Sequence, residues 1–346
     1  MKSILAFSSC AVVLAAMSSA ACGDPPAPKN PETTQVKTTV DLSDAGVAPP
    51  ATTADAPKDA GAAVVDTPAA KPGPAVDFKG IGLMTPESVF YDAADDLYYV
   101  TNINGAPLAA DNNGFISQLS PDGTVKNLKF IEGNKNKVTL NAPKGIVVTA
   151  DMIVVTDLNT VRMFDKKTGA PKGEVKIPGS TFLNDIAVDA KGTFYVTDSG
   201  MKAGKEGFDP TGTDGVWSID AKKKLTNVAK GKELNRPNGI VVASDGKVWV
   251  NTFGAAELYW LGPKGEKKDV ATLPKGGLDG LVLLPGGDVL VSSWEAQTVF
   301  RGKASGPFTA LVTDVKSPAD VGFDSKRSRI MIPMFQADEI QVWDVK

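Results

Sequence analysis

Asn238–Leu273 reads NGIVVASDGKVWVNTFGAAELYWLGPKGEKKDVATL. Its apolar residues fall into four short β-branched and aromatic runs: NGIVVA from Asn238, KVWVNT from Lys247, AELYWLG from Ala256 and EKKDVATL from Glu266. Runs of this length, broken by glycine-containing turns, predict consecutive antiparallel strands rather than helices. The next stretch repeats the unit with DGLVLL from Asp279, DVLVSSW from Asp288, QTVFRGK from Gln297 and PFTALV from Pro307. A four-strand unit recurring about every 40 residues lies in the repeat range of propellers, not of helical solenoids.

Working outward, the first strand of the unit occurs six times: PESVFYD from Pro86, PKGIVV from Pro143, LNDIAVD from Leu183, PNGIVV from Pro237, LDGLVL from Leu278 and PADVGFD from Pro318. Each is followed by a second apolar strand: LYYVTN, MIVVTD, FYVTD, VWVNT, VLVSS and IMIPM. The expected fold is therefore all-β, a six-bladed β-propeller with four antiparallel strands per blade, over residues 76–346. The last blade has only ADVGFD, RIMIPMF and EIQVWDV before Lys346. The isolated run AVDFKG, Ala75–Gly80, is expected to supply its fourth strand and close the ring, which would otherwise leave open edges.

The second residue of the six copies is Glu87, Lys144, Asn184, Asn238, Asp279 and Ala319. First strands line a propeller's channel, so these positions should form a ring at one mouth. The longest insertions, Asn104–Asn113, Ile131–Ala142 and Gly200–Thr213, are expected at that same mouth. Glu87 and Asp279 offer two negative charges, and Asn184 and Asn238 offer amide oxygens. That donor set suits Ca²⁺ or another hard divalent cation. Buried without a cation, the two carboxylates would be costly or would hold protons. The plainer reading is that Asn238-Gly239 and Asp279-Gly280 are turn residues. It does not cover Glu87 and Asn184, which share the position without a following glycine. Lys144 is a counter-charge paired with Glu87 or Asp185, an oxyanion stabiliser, or a base. Asp185 is a candidate to orient Asn184. Phe182, Phe253, Trp294 and Phe335 are either an apolar pocket wall or ordinary packing.

Composition removes other chemistries. Histidine is absent from all 346 residues, which excludes a Ser-His-Asp triad, a Cys-His pair and histidine-ligated zinc. The net charge of −3 and pI near 5.3 come with no dense basic patch, so no nucleic-acid partner is expected. Residues 1–21 have the form of an export signal: one lysine, an apolar run, then small residues. Ser19-Ala20-Ala21-Cys22 resembles a bacterial lipobox, which makes Cys22 the lipidation site; cleavage without lipidation is the alternative. Residues 22–75, rich in Ala, Pro and Thr, are expected to be a disordered tether. The expected protein is an exported monomer facing the periplasm or cell surface, touching the membrane only through its lipid.

PESVFYD, LNDIAVDAKGTFYVTD, RPNGIVVASDGKVWV and GLDGLVL together resemble the metal-site strands of the six-bladed senescence marker protein/gluconolactonase family. Diisopropylfluorophosphatase and the paraoxonases are more distant relatives. The resemblance covers the chain from about residue 76 onward. It implies that Glu87, Asn184, Asn238 and Asp279 bind the catalytic divalent ion, and that Asp279 is also the nucleophile or base. It implies hydrolysis of a lactone or another ester. Sugar-lactone hydrolases of the family carry an arginine just before the blade-three asparagine; this chain has Thr181-Phe182-Leu183 there. The alternative function is a non-catalytic, calcium-stabilised propeller that binds a protein or glycan on the cell envelope.

Overall fold

A computed structural model describes residues 73–205 and 207–345. The export signal, Cys22 and nearly all of the expected tether lie outside the described residues. The fold is a six-bladed β-propeller. Blade one is β2 (Pro86–Asp92), β3 (Leu97–Asn102), β4 (Phe115–Leu119) and β5 (Val125–Glu132). Blade two is β6 (Pro143–Val148), β7 (Met152–Asp157), β8 (Thr160–Asp165) and β9 (Pro171–Lys176). Blade three is β10 (Leu183–Val188), β11 (Phe194–Asp198), β14 (Gly215–Ile219) and β15 (Leu225–Lys230). Blade four is β16 (Pro237–Val242), β17 (Val248–Thr252), β18 (Glu257–Leu261) and β19 (Lys267–Thr272). Blade five is β20 (Leu278–Leu283), β21 (Asp288–Ser293), β22 (Thr298–Lys303) and β23 (Phe308–Thr313). Blade six contains β24 (Gly322–Asp324), β25 (Arg329–Met334) and β26 (Glu339–Asp344), with β1 (Val76–Phe78) outermost. β1 runs antiparallel to β26, Val76 opposite Val342 and Phe78 opposite Ile340.

The first strand of each blade lies against the first strand of the next, and β24 meets β2 to complete the circle. The burial pattern follows. β6, PKGIVV, is buried throughout, whereas the outermost β9 of the same blade, PKGEVK, is almost wholly exposed. Apolar residues from facing sheets interlock between blades rather than within them. Tyr99 and Ile116 of blade one share a core with Ile146 and Val155 of blade two. Phe78 of β1 is fully buried with Val89, Met331 and Ile340 at the seam of blades six and one. Each seam buries several large side chains, at roughly 1.5–3 kcal/mol for each one fully buried.

One insertion has regular structure of its own. Gly200–Thr213 holds a two-stranded hairpin, β12 (Met201–Gly204) and β13 (Gly207–Pro210), which forms a separate sheet. A triangle of hydroxyls fixes its base: Thr181 to Thr211 at 2.9 Å, Thr181 to Thr213 at 2.9 Å and Thr211 to Thr213 at 3.0 Å.

Candidate metal centre and its cavity

The first strand of five blades breaks register at one place: between Pro86 and Val89, Pro143 and Ile146, Leu183 and Ile186, Pro237 and Ile240, and Leu278 and Leu281. Each irregularity spans the second residue of the repeat. A bulge leaves a residue out of the ladder and re-aims its side chain. Glu87, Lys144, Asn184, Asn238 and Asp279 accordingly line a single cavity of about 250 Å³. Ala319 is buried and is not part of that lining.

A bulge also strands backbone groups, and this chain satisfies them by a repeated device. The amide after the second residue donates to a polar side chain of the neighbouring strand: Ser88 to Thr101 Oγ1 at 3.0 Å, Asp185 to Thr197 Oγ1 at 3.0 Å, Gly239 to Asn251 Oδ1 at 2.9 Å and Gly280 to Ser292 Oγ at 2.7 Å. Three of those side chains also donate to the carbonyl of the ring residue one blade further on. Thr197 reaches Asn238 O at 2.7 Å, Asn251 reaches Asp279 O at 2.7 Å and Ser292 reaches Ala319 O at 2.8 Å. Thr156 makes the same bond to Asn184 O. These residues were not among the sequence candidates. Their signal is a recurrent polar residue near the end of otherwise apolar second strands.

The Asn-Gly and Asp-Gly pairs are not turns. Gly239 and Gly280 lie inside β16 and β20, and neither has a positive φ. A Cβ on Gly239 would stand 2.3 Å from Asp279 O, and one on Gly280 would stand 2.2 Å from Val321 N. Glycine is required there because adjacent blades touch backbone to backbone.

The four oxygen-bearing side chains are held with acceptors to spare. Asn184 donates its amide to Ser199 Oγ at 3.1 Å, and Asn238 donates to Leu278 O at 3.1 Å, which fixes which end of each amide carries the free oxygen. Trp294 Nε1 donates to Asp279 Oδ2 at 2.7 Å. Glu87 Oε2, Asn238 Oδ1 and Asp279 Oδ1 are buried without a hydrogen-bond partner among the described residues. Buried acceptors of native proteins rarely lack partners, so three in one cavity fit a cation-binding group. Among the described residues no cluster of three or more Asp, Glu or Cys side chains converges; this donor set has only two carboxylates, completed by amides. Electrostatics agree with the fit. Burial pushes Asp279 up to about 8, with Asp320 adding to the rise. Burial, then the charges of Asp279 and Asp320, raise Glu87 well above the usual carboxylate range.

Lys144 is 1% exposed. Its ammonium donates to Pro107 O at 2.9 Å and Ala142 O at 3.2 Å, and lies 4.5 Å from the centre of the Phe182 ring. Carbonyls and a ring hold it, rather than the Glu87 or Asp185 carboxylate. Burial lowers it to about 8, against the attraction of Glu87 and Asp157.

Asp185 does not face this cavity. Its Oδ1 accepts the Ile186 amide at 2.6 Å and its Oδ2 accepts the Ile240 amide at 2.7 Å, binding blade three to blade four. Asp320, not a sequence candidate, is its partner across the channel: the charge of Asp185 acts on Asp320, and Ser88 donates to Asp320. Both line a second cavity of about 370 Å³ further along the same inner strands. Burial raises Asp185 to about 7, and burial and the Asp185 charge raise Asp320 well above the usual carboxylate range, consistent with one proton held between them.

The cavity's remaining wall is apolar except for Gln336. Phe182, Phe253, Trp294 and Phe335 all line it, joined by Met201 and Phe208 of the β12–β13 hairpin and by Ile103 and Pro107 after β3. Two of the three long insertions thus reach the site. The third, between β5 and β6, braces the first: Asn112 N donates to Asn141 Oδ1 at 3.1 Å and Leu140 N to Asn112 Oδ1 at 2.7 Å.

The profile of the family described as "SMP-30/Gluconolactonase/LRE-like region" matches residues 85–326. No curated protein matches the chain. Among solved structures, a gluconolactonase from Xanthomonas campestris superposes with a TM-score of 0.57 at 17% identity, covering 75% of this chain and 86% of that one. A streptogramin B lyase gives 0.54 at 16%, covering 78% and 86%. A nidogen/laminin complex gives 0.52 at 16%, covering 68% and 83%. At these identities the likenesses concern the fold.

Proposed function

For a chain that belongs to the SMP-30/gluconolactonase/LRE-like family, we propose hydrolysis of a lactone or another ester, with Ca²⁺ or a similar hard cation held by Glu87, Asn184, Asn238 and Asp279. The observation that carries this reading is the set of partnerless buried oxygens on Glu87, Asn238 and Asp279. A cation bound among them supplies a Lewis acid to polarise the ester carbonyl. The chain's own residues do the rest. Trp294 holds one Asp279 oxygen and leaves the other toward the cavity. Asp279 takes a proton from water as the water oxygen bonds to the carbonyl carbon, and returns it to the departing alkoxide. Ser199 and Leu278 O keep the Asn184 and Asn238 oxygens turned inward. Lys144, held by two carbonyls, keeps a positive charge beside Glu87 and anchors the loop after β3 through Pro107.

Calcium titration calorimetry and an ester panel, run on wild type and Asp279→Asn, test the proposal. The expected variant keeps cation affinity within about tenfold and loses at least 10²-fold in turnover. A wild type that binds Ca²⁺ but cleaves nothing on the panel supports the non-catalytic binding propeller instead. A wild type that binds no divalent ion removes both readings.

A further inference from the structure

We infer that the ester accepted here is small and uncharged, with an aromatic or alkyl body seated between two aromatic walls, and that Phe208 sets this preference. The inference rests on the hydrolase reading above and narrows its substrate class.

The first observation is that nearly every hydrogen-bond donor group lining the cavity is already held by a partner in the protein. A sugar lactone brings several hydroxyls into a site and each needs a partner. The Asn184 and Asn238 amide groups each spend one of their two N–H donors, on Ser199 Oγ and on Leu278 O. Trp294 Nε1 is committed to Asp279. Lys144 is committed to two carbonyls, with the Phe182 ring beside it. Among the lining residues that leaves one N–H on each asparagine amide, one on Lys144, and the exposed Gln336. The carboxylates are engaged when a cation is bound. Each hydroxyl buried without a partner would lower affinity by about tenfold or more.

The second observation is the shape of the apolar surface. On one side Phe182 and Phe208 meet edge to face, ring centres 5.5 Å apart. On the other, Trp294 packs between Phe253 at 6.1 Å and Phe335 at 5.3 Å. A volume of about 250 Å³ is that of about eight waters, which suits a ring or short chain beside a carbonyl. Phe208 is the one aromatic among the exposed large hydrophobics of the described residues, at 37%. It stands on a hairpin whose base is tied down by Thr181, Thr211 and Thr213. A large apolar group held over a cavity with one face open is placed to cover an apolar ligand.

The test compares phenyl acetate, γ-octanolactone and D-glucono-δ-lactone on Ca²⁺-loaded wild type and Phe208→Asn, with calorimetric titration of acetanilide as a hydrolysis-independent probe. Wild type should favour the apolar esters over the sugar lactone by at least about a hundredfold in kcat/KM, from two or more unmatched hydroxyls. Phe208→Asn should raise KM for the apolar esters about tenfold and shrink their advantage over the sugar lactone by about the same factor. Equal or faster cleavage of the sugar lactone overturns the inference while leaving the hydrolase reading intact. If no ester is cleaved, the hydrolase reading fails and acetanilide decides the cavity's preference. Saturable binding weakened by Phe208→Asn supports an apolar ligand; absence of binding overturns it.

Discussion

At Asp279 one oxygen is bonded to Trp294 and the other, with the Asn238 side chain beside it, has no hydrogen-bond partner among the described residues, and the same is true of one Glu87 oxygen nearby. Two such groups cannot both ionise cheaply in a buried site. The sign of the consequence is fixed. Burial raises Asp279 from 3.8 to about 8, and Glu87, Asp185 and Asp320 shift the same way. In cation-free protein the folded state therefore holds protons that the unfolded chain releases. The stability this provides is complete below about pH 4 and is lost as pH rises toward 8. Lys144, lowered to about 8, acts only above that window. In chelator, Tm should fall by more than about 5 °C between pH 5 and 8, whereas saturating Ca²⁺ should abolish or reverse the slope. Scanning calorimetry at stepped pH checks it; a chelated Tm independent of pH would mean these carboxyls carry no such strain. The four oxygen-bearing residues were legible from their shared place in a repeat. Asp320 was not, because its position in the six copies holds serine, glycine or aspartate, and only folding sets it opposite Asp185.

Among the elements, the first and second strands of each blade act as one device. The bulge aims a side chain into the cavity, and a polar residue of the second strand meets the backbone the bulge frees. Thr197 does this twice, accepting from Asp185 N and donating to Asn238 O. Thr197→Val keeps the shape and removes both bonds, at about 1–3 kcal/mol for buried groups left unpaired. Urea unfolding should show that loss, and calcium titration should show weaker binding because Asn238 is no longer held from behind. Unchanged affinity with lowered stability would confine Thr197 to a packing role. The bulges were invisible in the sequence because a first strand such as PKGIVV reads as a continuous apolar strand whether or not one residue slips out of the ladder. The β12–β13 hairpin was hidden for a different reason. MKAGKEGFDP lacks apolar alternation, and its pairing is supported by hydroxyls at its base rather than by a buried face.

For the whole molecule, the blade count and strand order followed from apolar runs and turn spacing, since each blade repeats one pattern and must bury both faces against its neighbours. What repetition does not reveal is the order of events in time. β1 pairs with β26, so the first of the described strands to be synthesised waits for the last of them. Five blades are assembled from neighbours in sequence, but the sixth needs a contact across almost the entire domain, which is slow to form. Moving Ala75–Gly80 to follow Lys346 through a short Gly-Ser linker turns that long-range contact into a local hairpin. Refolding of this permutant by stopped-flow fluorescence should be faster than wild type, with little change in unfolding rate. Equal refolding rates would mean the blade-six pairing forms after the rate-limiting barrier. Until that pairing forms, β26 has an unprotected edge while the other blades are already finished, so the last seam, rather than the core of any blade, is where a folding chain is most exposed to capture by another.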